Sequence, residues 1–127
     1  MNKLIIQEDK NTPNVIFDPE NSTYKIFGKS FPENSKKFYS PVIEWVEKNP
    51  PPSGASVDFS FYFFYLSSSS IISVLEILKR LVVWKQNGVN VNINWSFDED
   101  DEEIKRIGED YMQIVDFKFN FITTIEE

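Results

Sequence analysis

A strand-like segment that runs into a helix-like segment limits the possible fold more than any other feature of this chain. From Val57 to Leu66, apolar and aromatic side chains alternate with a set that begins polar and turns apolar. Because successive side chains of a strand point to opposite faces, the pattern predicts a central strand, buried on both faces near its end. After a run of serines, apolar residues recur at helical spacing from Ile71 to Lys85, which predicts a helix.

The same alternation of strand and helix continues on both sides of this segment. Residues 14–18 and 23–28 predict a hairpin of two strands. Residues 34–48 carry an apolar helical stripe interrupted by Pro41, which predicts one kinked or two-part helix. Residues 89–95 alternate again and predict the next strand.

The two ends of the chain complete the pattern. Residues 1–12 are polar after Ile6 and predict a loose N-terminus, and residues 117–121 alternate as a last strand. The acidic run at 98–103 suits the positive end of a helix dipole and predicts the opening of a third helix. The order β-β-α-β-α-β-α-β therefore predicts an α/β fold, a single domain over residues 1–127 with a mixed five-stranded sheet and about three helices.

The amino-acid composition disfavours several classes of function. The chain contains no His and no Cys, which removes the usual general base, thiolate metal ligands, disulfides and a cysteine nucleophile. A net charge of −7 argues against nucleic acid or an anionic membrane as a partner. No apolar run has the length of a signal peptide core or a bilayer span. We expect an acidic cytoplasmic protein without a metal, a cofactor or catalytic residues.

Four consecutive serines, Ser67 to Ser70, lie at the predicted strand-to-helix junction. Ser69 or Ser70 is expected to cap the helix by accepting a hydrogen bond from a main-chain amide. A phosphate on one of these serines would place negative charge beside the positive end of the helix dipole, so the run is also a candidate regulatory phosphosite. A nucleophilic serine is disfavoured because the chain has no histidine to activate it. Capping alone and capping with regulation both remain open.

The acidic run could also be compared with a calcium-binding loop. Counting from Asp98 places Asp100, Glu102 and Glu109 at ligand positions, but Glu103 occupies the position that requires glycine. A solvated helix start or an acidic docking face is the better interpretation.

Several motifs together resemble the SiaC family of bacterial regulatory phosphoproteins. The combination of Phe-Pro-Glu-Asn-Ser, Pro-Val-Ile-Glu-Trp and the hydroxyl run is specific, and the resemblance covers residues 12–121. The matching segments are Gly28–Ser35, Phe38–Trp45, Tyr65–Ile71, Asn87–Val91, Asp98–Glu102 and Gly108–Asp110.

The resemblance implies a STAS-like fold and a non-enzymatic switch. Members of the family are phosphorylated on one hydroxyl at the start of the helix after a core strand. A serine/threonine kinase of histidine-kinase-like fold adds the phosphate, and a PP2C-type phosphatase removes it. The unphosphorylated protein binds and activates a diguanylate cyclase in cyclic di-GMP signalling, and kinase and cyclase compete for it.

The resemblance also assigns roles within the serine run. The family pattern Asn-Thr-Ser-Ser, with Lys soon after it, places Ser68 at the position of the threonine acceptor, with Ser67 and Ser69 as alternative acceptors. Ser67 replaces the Asn and Ile72 replaces the Lys. We expect partners to dock around the acceptor, on a surface that includes Leu66, Ser67, Ser69, Ser70 and Ile71.

Two hypotheses of other classes compete with the switch. A small-molecule binder or enzyme would have a pocket lined by Tyr62, Phe64 or Trp95 with converging carboxylates, although core packing is the default role of such aromatic residues. A constitutive interaction scaffold would use its serines only as caps.

Overall fold

The elements of the molecule alternate as the sequence indicates. The structure, a computed structural model, describes residues 2–125. A short 3₁₀ turn at Pro19–Asn21 joins the second and third strands. The strands are β1 (Leu4–Ile6), β2 (Asn14–Asp18), β3 (Thr23–Ser30), β4 (Ser56–Leu66), β5 (Asn90–Asp98) and β6 (Phe119–Thr124), and the helices are α1 (Ser35–Lys48), α2 (Ser68–Gln86) and α3 (Glu102–Val115).

The strands lie side by side in chain order and form one mixed sheet. β1, β2 and β3 pair antiparallel, whereas β3, β4, β5 and β6 pair parallel. Each parallel pair is joined by one helix, and such crossovers are right-handed in nearly all proteins. The three helices therefore cover the same face of the sheet. The predicted α/β class, with a mixed sheet and three helices, is confirmed.

The sheet has six strands, so the prediction of five was one short. The additional strand, β1, lies within the segment that was predicted to be loose. It contains only three residues and has no periodicity of its own, and its register is set by pairing with β2, where Ile5 lies opposite Ile16. A strand defined by its neighbour in this way leaves little signal in the local sequence.

The end of β4 contradicts the sequence-based prediction. Phe59, Phe61 and Phe63 are buried under the helices, but Phe64 is 47% exposed and Tyr65 is 51% exposed. No helix covers the second face, and the register shifts between Gly28 and Lys29, so that Gly28 pairs with Phe63 and Lys29 with Tyr65. Phe64 is the extra residue of this β-bulge.

Two helices also differ from their predictions, α1 in its continuity and α2 in its start. α1 runs without a break through Pro41, so the two-part alternative is wrong; the helix is capped by Asn34, whose side chain accepts from the Lys37 N–H at 3.0 Å. α2 begins at Ser68 rather than at Ile71. The early start brings three of the four serines into the first turn of the helix.

The core is centred on Trp95, whose side chain is fully buried between the sheet and α3. Its indole N–H donates to the Ile104 carbonyl oxygen at 2.9 Å. Its ring packs edge-on against Tyr111, with 5.5 Å between centroids. α3 approaches closely because Gly108 has no side chain: a Cβ there would lie 2.5 Å from the indole.

Candidate functional site

The junction between β4 and α2 is the candidate site, and Ser67 shapes it. Ser67 has extended backbone geometry, and its Oγ accepts a hydrogen bond from the Ser70 N–H at 3.2 Å. Ser67 is therefore the N-cap, and the expectation that Ser69 or Ser70 caps the helix was wrong. The Ser67 N–H donates to the Ser30 carbonyl oxygen at 2.9 Å, which fixes the junction against the end of β3.

A buried chain of hydrogen-bonded hydroxyl groups connects the start of α2 to β3 and α1. Ser30 and Ser70 have no exposed surface. The Ser30 hydroxyl donates to Ser70 Oγ at 2.8 Å, and Ser70 donates back to the Ser30 carbonyl oxygen at 3.1 Å. The Tyr39 hydroxyl lies 2.6 Å from Ser30 Oγ. Because the single hydroxyl proton of Ser30 is directed at Ser70, the Tyr39 hydroxyl donates to Ser30. Burial raises the pKa of Tyr39 to about 12.

Two further hydrogen bonds connect the first turn of α2 to α1 and α3. Ser69 Oγ lies 2.7 Å from Ser35 Oγ in the first turn of α1. The Tyr111 hydroxyl, on α3, donates to the Ile71 carbonyl oxygen at 2.6 Å, and burial raises the pKa of Tyr111. β3, α1 and α3 thus each fix one position in the first turn of α2. The position of this turn is set by the tertiary structure and not by the serine run alone.

Ser68 differs from the other three serines. It is the first residue of α2, and its side chain is exposed. The hydroxyls of Ser67, Ser69 and Ser70 all have hydrogen-bond partners. Within residues 2–125, the Ser68 hydroxyl has none. The Ser68 and Ser69 N–H groups belong to the first turn, where amides have no intrahelical acceptor. A phosphate on Ser68 would lie beside these amides.

The surface around Ser68 only partly matches the predicted partner surface. Leu66 is 4% exposed and Ser70 is fully buried, so these two residues can position the junction but cannot contact a partner. Ser69 is exposed, while Ser67 and Ile71 are partly buried. The sequence reasoning missed exposed aromatic residues beside the junction, above all Phe31 and Tyr65, whose rings meet edge-on at 5.7 Å. The signal was present in the sequence, because Phe31 lies three residues after the predicted strand of residues 23–28, within the Phe-Pro-Glu-Asn-Ser motif.

The aromatic residues of the proposed ligand pocket do not come together. Trp95 is buried under the helices, whereas Tyr62 and Phe64 lie on the opposite face of the sheet, with 4.8 Å between their rings. The Tyr62 hydroxyl donates to Asp98 at 2.5 Å and lies 3.0 Å from Thr124 Oγ1. Thr124 Oγ1 also donates to Asp98 at 2.7 Å, and the hydrogen bonds that Asp98 accepts from Tyr62 and Thr124 lower its pKa. The arrangement ties the C-terminal ends of β4, β5 and β6 together, which is a structural role.

The acidic run belongs to the start of α3. Asp101 is the N-cap, and its side chain accepts from the Ile104 N–H at 3.1 Å. In the part of the chain that the structure covers, no three acidic side chains are grouped closely enough to hold a metal ion. Among the helices of residues 2–125, none is long and apolar enough to cross a membrane.

The cap can be tested separately from any signalling role. We expect Ser67→Ala to lower the free energy of unfolding by about 1 kcal/mol, because the Ser70 N–H loses its acceptor. Ser68→Ala is the matched control and should change stability by less than about 0.5 kcal/mol, since its hydroxyl makes no hydrogen bond in the described chain. Urea denaturation followed by circular dichroism measures both. Equal effects of the two substitutions would contradict the assignment of the cap.

Comparisons with known proteins identify relatives of the whole chain. The profile of the SiaC family regulatory phosphoproteins matches residues 6–124. A Pseudomonas aeruginosa protein from strain UCBPP-PA14, described as uncharacterized, is 29% identical over 119 residues, covering 94% of each chain. The solved structure of SiaC of Pseudomonas aeruginosa is 27% identical, with a TM-score of 0.82 over 99% of this chain and 100% of that one.

A second similar solved structure is a complex of two proteins. It contains the diguanylate cyclase SiaD in complex with its activator SiaC from Pseudomonas aeruginosa, and its matching chain is 28% identical, with a TM-score of 0.82 over 97% of this chain and 99% of that one. The family match extends over nearly the whole chain, and both structures share its fold from end to end. The chain belongs to the SiaC family of regulatory phosphoproteins.

Proposed function

We propose that this protein is a non-enzymatic switch in which phosphorylation of Ser68 controls the binding of a diguanylate cyclase. The main support is that the Ser68 hydroxyl is exposed and has no hydrogen-bond partner among residues 2–125. The neighbouring serine hydroxyls are all occupied by contacts that hold the helix start. A kinase can therefore modify Ser68 without breaking the fold.

The proposed enzymes are a serine/threonine kinase of histidine-kinase-like fold and a PP2C-type phosphatase. A kinase of this kind uses ATP, so we place the protein in the cytoplasm. The chain contains no histidine, the usual base that activates a serine nucleophile, and the Ser68 hydroxyl makes no hydrogen bond to a base within residues 2–125. It serves as a phosphate acceptor rather than as a catalytic group.

The proposed partner is a diguanylate cyclase, by analogy with the complex of SiaC and SiaD. Phosphate on Ser68 brings a charge of about −2 and would be stabilised by the free amides at the start of α2. The same charge would lie in the middle of the docking surface. It would repel acidic groups of the partner and be costly to bury against apolar ones.

The acceptor assignment is tested by phosphorylating the purified protein with ATP and the host's kinase, then mapping the phosphate by tandem mass spectrometry. We expect the phosphate on Ser68. Ser68→Ala is the control, since it keeps Ser67 and Ser69, the alternative acceptors, and should reduce incorporation to background. Undiminished incorporation into Ser68→Ala would show that one of the alternative serines is the acceptor.

A further inference from the structure

An exposed pair of aromatic side chains, Phe31 and Tyr65, lies next to the proposed acceptor. Phe31 is 38% exposed and Tyr65 is 51% exposed, and their rings meet edge-on at 5.7 Å. Phe31 follows Ser30, whose carbonyl oxygen accepts from the Ser67 N–H, and Tyr65 lies two residues before Ser67. The aromatic pair therefore flanks the start of α2, and exposed aromatic groups beside a functional site are typical anchors of protein interfaces.

The apolar surface continues on the other side of Ser68. Ile72 is 66% exposed. It lies four residues after Ser68 in α2, so the two side chains share a helix face. Ser68 is thus bordered by large exposed apolar groups on both sides.

The chain segment that contains Phe31 carries several lysines, although the protein as a whole is acidic. The segment 29–37 contains Lys29, Lys36 and Lys37 and one acid, Glu33, for a net charge of +2, whereas the whole chain carries −7. Lys29 pairs with Tyr65 across the β-bulge. Lys36 lines, together with Ser69 and Ile72, a groove of about 1000 Å³ between α1 and α2. The groove is also lined by Glu33 and by three glutamates that are ion-paired with Lys48, Lys79 or Arg80: Glu44, Glu47 and Glu76.

These three lysines are available to a partner. The ion pairs of residues 2–125 involve Lys48, Lys79 and Arg80, and none involves the three lysines of segment 29–37. Their positive charge is therefore not neutralised by a direct carboxylate contact in the described chain. An acidic surface that approached Ser68 would meet complementary charge.

We infer that the aromatic pair and the three lysines form the docking surface for the cyclase, and that the cyclase presents an apolar centre with an acidic rim. This inference rests on the proposed function. Phosphorylation of Ser68 adds about two negative charges beside segment 29–37, whose net charge is +2, and so offsets its positive charge. Release then follows from lost charge complementarity as well as from the phosphate within the apolar centre.

The test uses the host diguanylate cyclase that binds the wild-type protein, titrated by isothermal calorimetry against variants with confirmed thermal unfolding. Phe31→Ala and Tyr65→Ala should each weaken binding about tenfold. Ile114→Ala is the control, because Ile114 is 60% exposed but lies on α3. It should bind like the wild type.

The charge component is tested by replacing Lys29, Lys36 and Lys37 together by Gln. We expect about tenfold weaker binding at low salt, and a difference that shrinks at 0.5 M NaCl because exposed charges are screened. The control replaces Lys3, Arg106 and Lys118 by Gln, which removes the same total charge from other exposed positions. It should leave binding unchanged.

The outcomes separate this inference from the proposed function. If Ser68 phosphorylation abolishes binding while the aromatic and lysine variants bind like the wild type, the docking surface is wrong and the switch stands. Equal losses in both lysine triple variants would show a general charge effect and would also overturn it. If no host cyclase binds the wild-type protein, both proposals are wrong.

Discussion

Protein phosphorylated at Ser68 should bind its cyclase about a hundredfold more weakly than unphosphorylated protein, a difference of about 3 kcal/mol. The physical reason is local, because a doubly charged group would replace a small neutral hydroxyl in the middle of the interface. Ser68→Asp carries one negative charge and should fall between the two states. Titration of the cyclase by calorimetry measures all three affinities.

Ser68→Ala is the control for this experiment, treated with kinase and ATP in the same way. It should keep the affinity of the unphosphorylated wild type, because the alanine can carry no phosphate. If Ser68→Ala and Ser68→Asp bind the cyclase equally well, charge at this position does not control docking. A loss of binding in Ser68→Ala alone would instead indicate that the hydroxyl itself contacts the partner.

Trp95→Ala should cost about 3–5 kcal/mol of stability, the largest effect expected for a single substitution in this chain. Trp95 has no exposed surface, and Gly108 leaves α3 in direct contact with its ring. The substitution would leave a large cavity between the sheet and α3. Urea denaturation gives the free energy of unfolding; should the variant fail to fold, the milder Trp95→Phe provides the same comparison.

Trp45→Phe is the matched control for Trp95→Phe. The indole N–H of Trp45 is buried and has no hydrogen-bond partner in the part of the chain that the structure describes, whereas that of Trp95 donates to Ile104. Both substitutions remove the same group. We expect Trp95→Phe to be the more destabilising by at least about 1 kcal/mol, since only it breaks a hydrogen bond. Equal losses would contradict this account of the core.

Patterns with a regular period predicted most of the fold. The alternation along residues 57–66 and the helical stripe of residues 71–85 were sufficient to place β4 and α2. Where a contact with a distant neighbour decides the structure, the local sequence gave no warning. β1 exists because β2 lies beside it, and Tyr65 is exposed while Leu66 is buried because the register shifts next to Gly28.

The strand-to-helix junction that contains the serine run was predicted, but the hydrogen-bond arrangement within it was not. Four adjacent serines are chemically equivalent in the sequence, and any of them can cap a helix. The structure distinguishes them through residues far away in the chain: Ser30 and Tyr39 hold Ser70, and Ser35 holds Ser69. Ser68 is left exposed because these distant contacts hold its neighbours, which is information that local sequence patterns do not contain.

The hydrogen bonds that fix the first turn of α2 bear on how quickly the switch can respond. Contacts from β3, α1 and α3 fix this turn, so phosphate would change its charge with little change in its shape. If the cyclase covers Ser68, the kinase can reach that serine only after the cyclase has left. The lifetime of the complex would then limit how soon the signal can be switched off, whatever the amount of kinase in the cell.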